Sequence, residues 1–156
     1  MIPPEQRLQE LGIRLPPPPP PGGNYLPFRR SGNHVHLAGV ISLSETAGEW
    51  TGQVGGSRSL DDGYAAARVC ALNALAVMRS VTGTLDDIPS LLYVGGYVNT
   101  VPGYGKSPSV VNGASDLFVE VFGDAGRHAR AAVAVAGLPR NATVEIQVNL
   151  EVAPVA

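Results

Sequence analysis

Val144-Glu145-Ile146-Gln147-Val148-Asn149-Leu150-Glu151-Val152 alternates between apolar and polar residues without a break. Successive side chains of a strand point to opposite faces, so the pattern predicts a strand with one buried apolar face and one polar face that carries Glu145. The preceding residues 131–136 are small and apolar, which predicts another strand, and Arg130 stands at its start. A guanidinium binds a carboxylate bidentately, and a carboxylate can hold a water or move a proton. Arg130 and Glu145, paired across the Leu138-Pro139 turn, therefore predict a site for a small acid.

Upstream of these strands, two amphipathic helices and three further extended segments are expected. Ser59 followed by acidic residues predicts a capping box, and Ser107-Pro108 predicts a second helix start, each followed by apolar residues three and four apart. This mixture predicts an α+β fold, a mixed sheet with two helices packed on one face. No further helix remains for the other face, which self-association would cover. The predicted elements are strands at Tyr25–Phe28 and His34–Val40 separated by a turn at Ser31-Gly32-Asn33, a loop at 48–57, a helix from Ser59 to about Gly83, a strand at 90–99 and a helix at 107–122.

The first 23 residues differ in character from the rest. Leu8 and Leu11, three apart behind two prolines, predict a short helix that docks on the remainder. The unbroken run Pro16–Pro21 predicts a stiff extended spacer, because each ring fixes φ and removes a donor. We therefore expect a helix and spacer at residues 1–23 and one domain at 24–156. Recognition of the proline run by an SH3-like partner is the alternative, and a structural spacer is favoured.

Composition narrows the classes of function. A length of 156 residues with 44% hydrophobic content is typical of one globular domain. The formal net charge of −2 offers no broad basic surface, so we expect no nucleic-acid partner. No window reaches the ~18 apolar residues of a membrane helix, and residues 1–7 lack an apolar signal core. The single cysteine, Cys70, cannot form an intrachain disulfide, and the expected location is the cytoplasm.

Several motifs together resemble one known family. The segment 126–146, Gly-Arg-His-Ala-Arg-Ala-Ala-Val-Ala-Val-Ala-Gly-Leu-Pro-Arg-Asn-Ala-Thr-Val-Glu-Ile, resembles the C-terminal signature of the RidA or YjgF-like family of reactive-intermediate deaminases, also labelled endoribonuclease L-PSP. Residues 64–76, Leu85-Asp86, 97–99 and 111–117 extend the resemblance over roughly residues 24–152. The sequence Arg-His-Ala-Arg at 127–130 and the proline-rich N-terminal segment are typical of a particular branch of this family rather than of the branch that contains the best-understood deaminases.

This resemblance implies a chorismate-mutase-like fold that assembles as a homotrimer, with three sites in clefts between subunits. The residue at the position of Arg130 then binds the substrate carboxylate, and the one matching Glu145 holds the attacking water. The implied reaction hydrolyses 2-imino or enamine acids, such as 2-aminoacrylate, to 2-keto acids and ammonia. No metal and no organic cofactor are implied.

The same resemblance assigns four further residues to the substrate site. Tyr25 matches the site tyrosine, Gly39 a glycine of close backbone approach, Asn112 a polar cleft residue, and Ala132 a position whose backbone contacts the ligand. Ala38 departs from the pattern, since deaminating members usually carry Ser or Thr there.

Other interpretations of these residues remain open. Arg130 could form an interface salt bridge, and Glu145 could be a solvated residue of an alternating strand. His128 is a candidate titrating neighbour of Arg130 if both lie on one strand face. Three other features do not support metal binding, a nucleophilic cysteine or nucleotide binding. His34 and His36 lack further ligands for a metal, and Cys70 fits the core side of a helix. The loop Gly52–Gly56 lacks the lysine and the spacing of a phosphate-binding loop.

Two functions therefore remain from the sequence. One is an imine deaminase, and the other is a non-catalytic protein of the same fold that binds or senses small carboxylates. The missing hydroxyl at Ala38 favours the second. Ribonuclease activity is the weakest alternative, because the chain has no basic stripe.

Overall fold

The structure of the protein, a computed structural model that describes residues 1–156, contains three α-helices and eight β-strands. Their bounds are α1 Pro4–Glu10, β1 Phe28–Ser31, β2 His34–Leu37, β3 Val40–Ile41, β4 Leu43–Ser44, β5 Gly48–Glu49, α2 Leu60–Thr82, β6 Ser90–Asn99, α3 Ser107–Phe122, β7 Ala129–Val135 and β8 Val144–Glu151. The predicted α+β mixed sheet with two helices on one face is confirmed.

The alternating strand β8 is central to the sheet. The strand order is β1-β2-β8-β6-β7, and β3 pairs with β8 beyond the end of β2. All pairs are antiparallel except β6 and β7, which run parallel because α3 connects them as a crossover. Because β7 is the last strand in this order, it forms an edge of the sheet.

The two faces of the sheet differ as the alternation predicts. Val144, Ile146, Val148 and Leu150 are fully buried beneath α2 and α3. The opposite face has no helix over it and carries the half-buried polar side chains of β8, together with exposed apolar groups of β6 and β7. We call this surface the open face; it includes Tyr97, Val133, Glu145, Gln147 and Asn149.

Both long helices begin and pack for identifiable reasons. Ser59 caps α2 through the predicted capping box, exchanging hydrogen bonds with Asp62 at 3.0 and 2.9 Å. A Cβ at Gly113 would clash with the backbone carbonyl of Tyr64, so this glycine lets α3 lie directly against α2. The close packing places the first half of α3 over the edge strand β7.

Four details differ from the sequence prediction. The first strand is Phe28–Ser31 rather than Tyr25–Phe28, because a two-residue turn with Gly32 at φ 60° pairs Ser31 with His34. The predicted strand His34–Val40 is interrupted after Leu37. Part of the predicted 48–57 loop is strand β5, which pairs with β4. Ser107 is the first helical residue of α3 rather than its cap.

The predicted N-terminal helix is confirmed, and it packs on the outer side of the other helices. Leu8 is 2% exposed within the core, and Glu5 accepts two hydrogen bonds from Arg79 at 2.9 and 2.6 Å. Arg7 donates to the carbonyl of Glu120 in α3 at 3.0 Å. The division of the chain at residue 23 stays a prediction. No helix has the length and hydropathy needed to span a bilayer.

Candidate functional site

Arg130 lies near the start of the edge strand β7, and its side chain is held along α3. Its Nη1 donates to Asn112 Oδ1 at 2.8 Å and to Ser115 Oγ at 3.1 Å, while Nη2 donates to the carbonyl of Pro108 at 3.2 Å. Of the five N–H groups of a guanidinium, three are thereby engaged. The Nε–H and one Nη2–H have no acceptor in the chain, and this pair matches the two oxygens of a carboxylate.

A second layer of hydrogen bonds supports Arg130. Ser115 Oγ lies 2.9 Å from His128 Nε2, and His128 Nδ1 lies 2.7 Å from the carbonyl of Gly126. The His128 ring packs edge-on to Phe118, with centroids 5.9 Å apart. Burial lowers the pKa of His128, the Gly126 carbonyl opposes this by raising it, and the charge of Arg130 lowers it further. His128 and Arg130 lie on the same side of the sheet, because both side chains contact Ser115. The lowered pKa favours the neutral imidazole of His128.

Glu145 belongs to the open face, beside Gly39. Neither carboxylate oxygen has a hydrogen-bond or ion-pair partner within the chain, and burial raises the pKa of Glu145. A Cβ at Gly39 would lie 2.5 Å from Glu145 Oε2, so the glycine lets the carboxylate keep this position without moving aside. A half-buried acid without a partner is suited to holding a water or exchanging a proton.

The register of the sheet separates Arg130 from Glu145. Glu145 pairs with Tyr97 and Arg130 pairs with Val94, three residues apart on the regularly paired part of β6. An odd spacing on a strand means opposite faces. The predicted pairing of the two residues across the Leu138-Pro139 turn is therefore wrong for a single chain, because strand alternation directs one toward α3 and the other away from it.

The remaining predicted site residues are divided. Asn112 contacts Arg130 directly, and Ala132 lies two residues further along β7 on the same face, half-buried against the core. Tyr25 is 52% exposed in the N-terminal loop, where its hydroxyl accepts a hydrogen bond from Gly22 N–H at 2.9 Å. Within the chain, Tyr25 forms no hydrogen bond with Arg130 or Glu145. The Ala38 N–H donates to the Pro27 carbonyl at 2.9 Å and is not free for a ligand.

Ser115 was missed as a functional candidate from sequence. It follows Asn112 by three residues and Pro108 by seven, so the three lie on one side of α3. This spacing was the available signal, but it acquires meaning only when β7 places Arg130 against the helix.

The other singled-out residues have structural roles. His36 lies on the open face, where its Nδ1 is 2.9 Å from Asn149 Oδ1, and no group of three or more His, Cys, Asp or Glu side chains is arranged to hold a metal. Cys70 is fully buried, as predicted for a core residue. Burial raises its pKa, with Glu145 adding to the rise, and its thiol donates to the Val144 carbonyl.

A mixed sheet with two helices packed on one face is the architecture of the chorismate-mutase-like fold, and here an arginine is fixed at the edge of the sheet. The family model described as "YjgF/chorismate mutase-like, putative endoribonuclease" matches residues 5–152, and the chain belongs to this RidA/YjgF family. Protein TCP17 of Trypanosoma cruzi is 41% identical over 92% of this chain and 91% of its own length. The solved structure of Atu1372 from Agrobacterium tumefaciens is 40% identical, with a TM-score of 0.85 over 96% of this chain and 93% of that one.

The fold likeness extends to a protein with a small molecule bound. The crystal structure of E. coli TdcF with bound serine has a TM-score of 0.62 and 19% identity, covering 85% of this chain and 91% of that one. At this identity the likeness establishes the fold alone.

Proposed function

We propose that this chain assembles as a homotrimer whose intersubunit clefts bind small carboxylic acids and hydrolyse 2-imino or enamine acids, of the 2-aminoacrylate type, to 2-keto acids and ammonia. The observation that carries the proposal is the geometry of Arg130. Three hydrogen bonds to α3 hold its guanidinium, and its Nε–H and one Nη2–H are left without acceptors. Such a donor pair is fixed before the ligand arrives, which lowers the entropic cost of binding.

Glu145 is proposed as the catalytic proton carrier. An enamine acid first takes its imine form by moving a proton from nitrogen to its terminal carbon. The unpartnered carboxylate of Glu145 then accepts a proton from water as the water oxygen attacks the imine carbon, and gives that proton to the imine nitrogen. The carbon–nitrogen bond of the resulting amino alcohol breaks as the hydroxyl proton passes through Glu145 to the nitrogen, which releases ammonia and leaves a keto group. An imine carbon is already electrophilic, so this reaction needs positioning, a water and a proton relay, but no metal or organic cofactor.

The trimer is supported by the separation of Arg130 and Glu145. Because they lie on opposite faces in one chain, a cleft containing both needs Arg130 from one subunit and Glu145 from another. The edge position of β7 lets it approach the open face of a second copy. That face presents Tyr97 at 37% and Val133 at 46% exposure with no helix over them. Gly39 and Tyr25 would then complete the cleft from the Glu145 side, and Asn112 and Ala132 from the Arg130 side.

The proposal extends to the ligand class and location. The serine bound in TdcF is a small carboxylate-bearing molecule, which is consistent with an acid in this fold. The formal charge of −2 and the single buried cysteine fit a cytoplasmic protein without a nucleic-acid partner.

Ala38 favours a second function, that of a non-catalytic carboxylate-binding protein. The position next to Gly39 and Glu145 supplies no hydroxyl, and its backbone N–H is already donated to Pro27. Such a site would keep Arg130 for carboxylate binding but lack one polar group beside Glu145, where hydrolysis is proposed.

One assay separates the two functions. 2-Iminopropanoate is generated from L-alanine by an amino-acid oxidase, and pyruvate and ammonia release is followed with and without the purified protein. Catalysis predicts faster release that Arg130→Ala and Glu145→Gln both abolish, whereas Arg127→Ala, an exposed arginine paired with Asp124, retains it. Pyruvate-dependent thermal stabilisation without faster release establishes the binding function. Absence of both effects overturns both functions.

A further inference from the structure

Arg130 is connected to His128 through a continuous chain of hydrogen bonds. Arg130 Nη1 is 3.1 Å from Ser115 Oγ, Ser115 Oγ is 2.9 Å from His128 Nε2, and His128 Nδ1 is 2.7 Å from the Gly126 carbonyl. These hydrogen bonds join β7, α3 and the turn at Gly123–Gly126. They therefore connect the guanidinium to parts of the fold outside the proposed cleft.

The direction of every bond in this chain follows from the groups at its ends. The Gly126 carbonyl only accepts, so His128 Nδ1 carries the proton, and the Arg130 guanidinium only donates, so Ser115 Oγ accepts from it. The Ser115 hydroxyl has one hydrogen left to place, and it points to the lone pair of a neutral His128 Nε2. A neutral Nδ1–H imidazole thus orients Ser115 with a lone pair toward Arg130.

Protonation of His128 would reverse part of this arrangement. Nε2–H would donate to Ser115 Oγ, which would then receive two donors, and an imidazolium would stand next to a guanidinium. Arg130 is the charge that contributes to the His128 pKa shift. The other charges of the surrounding elements are engaged elsewhere: Asp124 with Arg127 in the turn, and Asp116 with Tyr64 and Glu120 with Arg68 on α3.

We propose that Ser115 and His128 are positioning residues for Arg130, with neutral His128 holding the Ser115 hydroxyl so that the guanidinium keeps its Nε–H edge toward the ligand. This inference rests on the proposed carboxylate binding at Arg130 and deepens it. It predicts that carboxylate affinity depends on two residues that do not touch the ligand.

Matched substitutions test the role of Ser115 with pyruvate as the probe. Ser115→Ala is expected to weaken pyruvate binding about tenfold by calorimetry, since one hydrogen bond to a charged group is lost. Ser115→Thr keeps the hydroxyl and should restore affinity to within about threefold of wild type. Ser109→Ala, on the exposed side of the same helix, serves as the control and should bind as wild type does.

His128 is tested by two replacements and by pH. His128→Phe keeps a ring against Phe118 but removes the acceptor, and should weaken binding about as much as Ser115→Ala. His128→Gln offers an amide oxygen and should recover part of the loss. Wild-type affinity should fall as pH drops through the His128 pKa, and the Gln variant should lack this step. Unchanged affinity in both Ser115→Ala and His128→Phe would overturn the inference.

Nuclear magnetic resonance separates failure of this inference from failure of the proposed function. Without ligand, wild-type protein should give resolved Nη signals for Arg130 and the Nδ1–H tautomer for His128. Ser115→Ala and His128→Phe should both collapse the Arg130 signals by freeing rotation. If pyruvate does not bind but this collapse occurs, the positioning role stands and the carboxylate function fails. Rigid Arg130 signals in both variants contradict the positioning role whatever pyruvate does.

Discussion

Arg130 and Glu145 lie on opposite faces of one sheet, in strands β7 and β8 that are separated by β6. Three hydrogen bonds hold the guanidinium of Arg130 in place. Glu145 has a raised pKa, and Gly39 leaves space for its carboxylate. Neither can serve the same ligand as the other within one chain. Oligomerisation is therefore part of the proposed site rather than an addition to it.

Subunit mixing should restore activity between two inactive variants. Arg130→Ala supplies intact Glu145, and Glu145→Gln supplies intact Arg130, so mixed trimers contain some clefts with both groups. Random exchange of equal amounts should regain roughly a quarter of the wild-type sites, because each cleft draws on one ordered pair of subunits. Deaminase activity measures the gain, and pyruvate binding measures it independently once subunit exchange between the trimers has been verified.

The double variant Arg130→Ala/Glu145→Gln mixed with wild type provides the comparison for that experiment. No recovery after verified subunit exchange between the single variants would show that Arg130 and Glu145 do not share an intersubunit cleft.

Gly39→Ala should impair Glu145 while leaving the fold intact. The added Cβ would lie 2.5 Å from Glu145 Oε2, the end of a flexible side chain, which can move aside. We expect a deaminase rate reduced about tenfold or more by misplacement of the carboxylate, with a small change in melting temperature. Gly105→Ala is the matched control, since nothing lies within 4 Å of its Cβ. Equal activity of the two variants would argue against a catalytic position for Glu145.

The stability of the protein should depend on the protonation of Glu145. Burial raises its folded-state pKa above the ordinary value of 4.5, so the folded chain binds the proton more tightly than the unfolded chain does. Wild type should then lose stability relative to Glu145→Gln as pH rises from 4.5 through the raised pKa. Melting temperatures of both proteins across this range measure the effect. A constant difference between them at all pH values would show that the pKa of Glu145 is unshifted.

Docking of α1 should contribute measurably to stability. Leu8→Ala removes a side chain that is 2% exposed and should cost about 2–4 kcal/mol in the free energy of unfolding. Gln9→Ala, on the exposed side of the same helix, should change it by less than about 0.5 kcal/mol. Denaturant unfolding gives both values, and similar costs for the two variants would mean that α1 is not held by its apolar side.

Acid should weaken the same docking through Glu5. Burial alone would raise the pKa of Glu5, but hydrogen bonds from Arg79 and the Leu85 N–H and the charge of Arg79 lower it overall. Its contribution is present above the unfolded-state value of 4.5 and is lost as pH falls through the lowered pKa. Hydrogen exchange of α1 amides should accelerate in that window, and Glu5→Gln should abolish the change.

Local patterns were sufficient for most of the fold. Alternation in residues 144–152, apolar spacing in the two long helices, and the capping signal at Ser59 each have a short-range physical cause. The boundaries that failed depend on how the strands pair. The break between β2 and β3 coincides with a one-residue change in their register against β8, more than a hundred residues away, and the first strand takes its bounds from its pairing with β2.

The sequence by itself determined the α+β class, the two faces of β8, the position of Arg130 at the start of an apolar strand and that of Glu145 on the polar face of β8, because these follow from periodicity and composition. Only the tertiary structure decided how the charges are arranged. The crossover through α3 and the register of β6 place Arg130 against Asn112 and Ser115 and direct Glu145 to the open face. Strand alternation specifies a face only within its own strand, whereas relating two strands requires the hydrogen-bonded register that folding supplies.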